Sequence, residues 1–139
     1  MSEEKSNLIK GGEFITKETP PETVYIPEDI NEEQKMMIDT VNDFVEKEIW
    51  PRLDAIDNHE PGLMEKLLKQ SGELGLLGTF VPDEYEGLGQ DFDTNTLISM
   101  AMGPSHSFGV AFAAHTGIGT LPILYYGTEE QKKKYLPGL

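Results

Sequence analysis

From Thr94 through Thr128 the chain carries no Asp, Glu, Lys or Arg. A helix at a protein surface keeps a charged or polar face toward water, so an uncharged run this long must be covered on most sides. A membrane span is the rival reading, because about 20 apolar residues suffice to cross a bilayer. Against it, Gly103-Pro104-Ser105-His106-Ser107 breaks the run, and His115, Thr116 and Pro122 interrupt the remainder. Polar groups at bilayer depth are costly, so burial inside protein is expected. The stretch Ser107–Thr116 is apolar all round, in a chain of 139 residues that is too small to cover it fully. A further domain or subunit is therefore expected against it, and the chain by itself is expected to self-associate, as a homo-oligomer.

The remaining charge is acidic and lies mostly upstream. Residues 1–60 hold 16 acidic and 6 basic groups, and the chain as a whole has a net charge of −14. That balance argues against nucleic acid or an anionic membrane surface as the main partner, since both need a basic footprint. With no cysteine, there is no disulfide frame, thiol nucleophile or thiolate metal site. The start, Met1-Ser2-Glu3-Glu4-Lys5, is polar and leads into no apolar core of a secretory signal. A cytoplasmic location is the expectation.

The spacing of apolar residues predicts an all-α fold, an up-down bundle of about five or six helices behind an extended N-terminal arm. The arm, residues 1–30, mixes Gly11-Gly12, Pro20-Pro21 and Pro27 with short apolar pieces and reads as extended chain or a loose strand. Residues 31–139 form the helical domain. Its first helix starts at Asn31, with Gln34 at the capping-box position, and is limited by Pro51. The second runs from about Pro61 to Leu74, with Leu74 inward and Gly75 just past its end. Leu76 to Gly89 reads as extended chain entering a turn-rich loop. A third helix is capped by Asp91 or Asp93, a fourth covers Ser107–Thr116, and a short fifth lies around Leu121–Tyr126. Thr128 with Gln131 three residues on forms a capping box for the last, which ends in Lys132-Lys133-Lys134.

Several catalytic classes fail on their own motifs. No Glu-x-x-His pair exists for a di-iron bundle or a zinc site. Gly87-x-Gly89 has Phe92 where a dinucleotide fingerprint has its third glycine. Gly103-Pro104-Ser105-His106-Ser107 lacks the closing glycine of a nucleophile elbow. There is no P-loop and no metal-ligating set. His115, inside the uncharged run, reads as a packed, hydrogen-bonded residue rather than a catalyst.

Three segments together resemble the N-terminal domain of the acyl-CoA dehydrogenase family. They are Phe80-Val81-Pro82-Asp83-Glu84-Tyr85-Glu86-Gly87-Leu88-Gly89, His115-Thr116-Gly117-Ile118-Gly119, and Tyr126 through Pro137 with its Gly-Thr-x-x-Gln-Lys-x-x-Tyr-Leu-Pro pattern. The arm Lys10-Gly11-Gly12-Glu13-Phe14-Ile15 resembles the lead-in of the very-long-chain branch. One departure is that the family often has Gly-Gly where this chain has Glu86-Gly87.

The resemblance implies a larger enzyme, with a middle β-domain and a C-terminal helical domain that this chain lacks. Those domains, or a partner subunit, would supply the flavin contacts and the carboxylate base. FAD would accept the hydride in α,β-dehydrogenation of a fatty acyl-CoA, passing electrons to an electron-transfer flavoprotein. No catalytic or cofactor-binding residue is expected in this chain, which by itself would be inactive. Its N-terminal helices would form one wall of the acyl pocket at Val110, Ala111 and Ala114, with His115 beside them, and small side chains there favour long acyl chains. Two other readings are a non-catalytic helical interaction module and a related flavoprotein such as an acyl-CoA oxidase.

Overall fold

The computed structural model describes residues 12–20, 22 and 24–139. The chain divides into two units, Met1–Glu32 and Glu33–Leu139. In the first, the arm is not extended throughout: among the described residues it holds short helical turns at Glu13–Thr16 and Pro27–Asp29. Helix α1 (Glu13–Thr16) is supported by the Lys17–Glu13 ion pair at 2.7 Å, one turn apart. A 3-10 turn at Pro27–Asp29 begins on a proline, and the Asp29 carboxylate accepts the Ile26 N–H at 2.9 Å. Lys10 and Gly11 of the lead-in lie outside the described residues.

The second unit is all helical among the described residues, as the periodicity predicts. Helix α2 (Glu32–Phe44) does not stop before Pro51 but passes through a π-helical turn, Val45–Ile49, and a 3-10 turn, Trp50–Arg52, into α3 (Leu53–Asp57). A proline inside a helix removes one N–H and presses its ring on the carbonyl four residues back, here that of Lys47. The wider π turn makes room for the ring. The Arg52 guanidinium then donates to the carbonyls of Glu48 at 2.7 Å and Lys47 at 3.4 Å.

Helix α4 (Leu63–Glu73) buries Leu63 and Leu67, one turn apart, and ends on Gly75 at φ 78°. Leu74, expected inward, is 48% exposed. The segment that follows is a string of turns rather than extended chain. Its Gly78 and Thr79 carbonyls accept the N–H groups of Leu88 and Gln90 at 3.0 and 2.8 Å. Glu86 sits at φ 67°, in the left-handed region where a side chain crowds its own backbone. At Gly87 any Cβ would collide with the Val81 carbonyl.

Helix α5 (Phe92–Met102) is capped by Asp91, whose side chain accepts the Thr94 N–H at 2.9 Å. Gln34 is buried, and its amide donates to the Thr94 hydroxyl at 3.0 Å, joining the starts of α2 and α5. After a 3-10 turn, Gly103–Ser105, the two separate helices expected downstream prove to be one run, Ser107–Tyr126. It consists of α6 (Ser107–Ala113), a π-helical segment Ala114–Gly119, and α7 (Thr120–Tyr126). Pro122 is carried as Pro51 is, with the carbonyl four residues back, Ile118, inside a π turn. Helix α8 (Glu129–Tyr135) opens with the expected Thr128–Gln131 capping box.

Phe44, Val45, Ile49, Leu67, Ile98, Phe108 and Phe112 belong to one core, in which the Phe44 and Phe108 rings lie 5.7 Å apart. A smaller cluster of Val81, Tyr85 and Leu136 takes in Ile123 and Leu124. There the Tyr85 hydroxyl donates to Glu129 Oε2 at 2.8 Å. That bond, then burial, pushes the phenol up to about 12, and the same bond holds the Glu129 carboxyl below its ordinary value.

Within this chain the apolar helix from Ser107 is left largely uncovered. By length and composition Ser107–Tyr126 is long and apolar enough to cross a membrane, and its most apolar window is only 17% buried within this chain. Phe108 and Phe112 nevertheless fix one face in the core.

Two substitutions test these local arguments. Arg52→Met removes the guanidinium bonds to the Lys47 and Glu48 carbonyls and should lower unfolding free energy by about 1–2 kcal/mol, read from denaturant midpoints. Glu86→Gly relieves the left-handed strain and, net of the entropy that glycine costs, should raise stability by about 0.5–1 kcal/mol in the same assay.

Candidate functional site

The end of α5, the turn after it and the helix from Ser107 enclose an open groove of ≈ 620 Å³. Its long wall follows helical arithmetic. His106, Gly109, Val110, Ala113, Ala114 and Gly117 recur at intervals of three and four residues, so they share one face, and all line the groove. Phe108 is fully buried on the opposite side. Met102 and Phe80 supply apolar surface from α5 and from the loop before it. The wall is low because its central residues are glycine and alanine. The polar side chains on the lining are those of Ser99, His106 and Thr116. Such a mostly apolar concavity suits an extended hydrocarbon, with few groups to fix a polar ligand.

Of the four residues expected at an acyl wall, Val110 and Ala114 line the groove and are exposed, Val110 at 72%. Ala111 and His115 are each one residue further along the helix, about 100° around it, and are half-buried off the lining. His106, Gly109, Ala113 and Gly117 were legible from the three-and-four spacing around Val110 and Ala114. Phe80 was not, because only the tertiary fold brings that loop to the helix. His106 adopts φ 53° and ψ −128°, a strained conformation that starts the helix beside the groove. Among the described residues, no group of His, Asp and Glu is placed to hold a metal ion.

His115 is packed, as expected, but its Nδ1 is buried with no hydrogen-bond partner among the described residues. Burial of the ring lowers its pKa from 6.5. The unfolded chain therefore takes up a proton near pH 6.5 that the folded chain refuses. Stability is full above that pH, declines as pH falls from 6.5 toward the lowered folded value, and levels off below it. Comparing unfolding free energies of wild type and His115→Gln between pH 7.5 and 5 should show this decline weakened in the variant.

The chain resembles known proteins along its whole length. The model of the family described as "Acyl-CoA dehydrogenase, N-terminal domain" matches residues 31–139. A probable acyl-CoA dehydrogenase of Bacillus subtilis (strain 168) is 45% identical over 139 residues, 100% of this chain and 23% of that protein. The mitochondrial isovaleryl-CoA dehydrogenase of Bos taurus is 36% identical over 112 residues, covering 79% of this chain and 26% of that one. These relatives give the very-long-chain branch no support. The crystal structure of an acyl-CoA dehydrogenase complexed with FAD from Bacillus anthracis superposes with a TM-score of 0.87 at 45% identity, over 92% of this chain and 22% of that one. The chain thus spans about a quarter of the length of the proteins it matches. With its helices, its capping box and its groove in place, this chain belongs to the acyl-CoA dehydrogenase family, as the N-terminal domain.

Proposed function

We propose that the chain serves an FAD-dependent acyl-CoA dehydrogenase by forming one wall of the pocket for the fatty acyl tail, and that the tail is a long one. The groove carries this reading: an open, mostly apolar concavity of ≈ 620 Å³ whose wall is kept low by glycine and alanine. Apolar burial there is worth roughly 0.8 kcal/mol per methylene, so each carbon the wall admits adds affinity. Its residues do not suit the cofactor. Three scattered polar side chains offer no cradle for the phosphates of a flavin dinucleotide, and no carboxylate lines the groove to act as base. We therefore assign FAD, the base and the handover of electrons to an electron-transfer flavoprotein to parts of the enzyme beyond these residues. The 139-residue chain by itself is then inactive. A cytoplasmic, self-associating protein remains our reading of location and assembly, supported by the cysteine-free composition and the uncovered apolar helix.

The two alanines provide the test, because the structure gives them different surroundings. In the full-length flavoprotein, Ala114→Leu places three carbons in the groove. It should lower kcat/KM for hexadecanoyl-CoA by an amount equivalent to about 2–3 kcal/mol while sparing butyryl-CoA. Ala111→Leu, off the groove, should instead cost about 1–3 kcal/mol of stability and affect both substrates alike. Equal losses on both substrates for Ala114→Leu would mean that the groove does not hold the tail.

A further inference from the structure

Gly117 is the groove glycine for which contacts within this chain supply no reason. Glycine in a helix gives up backbone entropy that alanine would save, so an interior glycine calls for an explanation. Gly109 has one: a Cβ there would meet Ser105 Oγ at 2.8 Å. Gly103 has another. It holds helical angles, φ −50° and ψ −42°, directly before Pro104, where a Cβ clashes with the proline ring. Gly117 has neither. Its φ lies outside the left-handed region, and a Cβ built on it finds no heavy atom within 4 Å. The space it leaves empty is groove. Gly117 also sits in the π-helical segment Ala114–Gly119, whose wider turn brings Gly117, Ile118 and Ala114 to the same lining. π turns of this kind recur at functional sites.

We propose that Gly117 is a specificity-determining residue: its missing side chain sets how far along the π-helical wall an apolar acyl tail can extend. The inference rests on the reading of the groove as an acyl pocket and adds to it the position that limits chain length. A side chain at 117 would take the place of terminal methylenes, leaving the thioester end of the substrate untouched.

The experiment uses the full-length flavoprotein with Gly117→Ala and Gly117→Leu, measuring kcat/KM for butyryl-, octanoyl- and hexadecanoyl-CoA together with the melting temperature. Alanine adds one carbon and favours the helix, so it should leave the melting temperature unchanged or raised. It should also reduce hexadecanoyl-CoA turnover roughly fourfold, the equivalent of one methylene, without changing butyryl-CoA. Leucine should extend that loss to tens of fold and move the preferred substrate toward octanoyl-CoA. Equal losses on all three substrates, a lowered melting temperature for Gly117→Ala, or an unchanged long-chain rate in folded Gly117→Leu would each overturn the assignment. A wild-type enzyme that turns over none of the three would overturn the acyl-pocket reading itself, and this proposal with it.

Discussion

Two prolines stand inside the two longest helical runs, and the domain is shaped by how the backbone accommodates them. Pro51 and Pro122 each lack the N–H that would close a helical bond, and each ring presses on the carbonyl four residues earlier. In both cases that carbonyl, of Lys47 or Ile118, lies in a π-helical turn, Val45–Ile49 or Ala114–Gly119. Side chains take up bonding capacity in the loosened turns. Arg52 donates to the carbonyls of Lys47 and Glu48, and the Thr120 hydroxyl donates to the His115 carbonyl at 2.8 Å. The helices run on instead of breaking, so the core is built from long elements.

The π segment also resets the phase of the helix. In a regular α-helix the eight steps from Phe112 to Thr120 would leave Thr120 about 80° off the buried face. A π segment absorbs about one extra residue, which returns the offset to roughly 20°. Thr120 is indeed 1% exposed, in line with Phe108 and Phe112, and Ile123 and Leu124 go on to meet Val81, Tyr85 and Leu136. One widened turn therefore couples the two hydrophobic clusters through a single helix. It also places Gly117 and Ile118 on the groove side.

What the sequence reveals here depends on whether the signal is local. Gly75 and the Thr128–Gln131 box act on their own neighbours and are read correctly from a few residues, and the cap of α5 is narrowed to Asp91 or Asp93, of which the structure uses Asp91. The stop at Pro51 was misread because its remedy, the Arg52 guanidinium and a π turn, is a geometric response rather than a motif. The division of Ser107–Tyr126 into two helices failed for a related reason. With no charge between Thr94 and Thr128, no polar face marks the phase of the helix, so a shift of one residue leaves no trace. The same gap explains the site. Val110 and Ala114 fall on the wall and Ala111 and His115 one step off it, a distinction that only the helix phase decides.

The lack of charge is also what permits the groove. A lysine or glutamate on this face would have to be desolvated whenever the face was covered, at a cost of several kcal/mol per ion. The acidic load instead lies mostly in the first 60 residues of the sequence. Val110, Ile118 and Tyr126 are 72%, 80% and 88% exposed within this chain. Leaving so much apolar surface in water is unfavourable unless something covers it, at roughly 25 cal/mol per Å² of apolar area. On the reading proposed above, an acyl tail along the low wall would remove part of that surface from water, and a further domain or subunit of the enzyme would remove more. On that reading, the free energy that the isolated domain forgoes by exposing this helix would be recovered as binding energy when the pocket is assembled and filled.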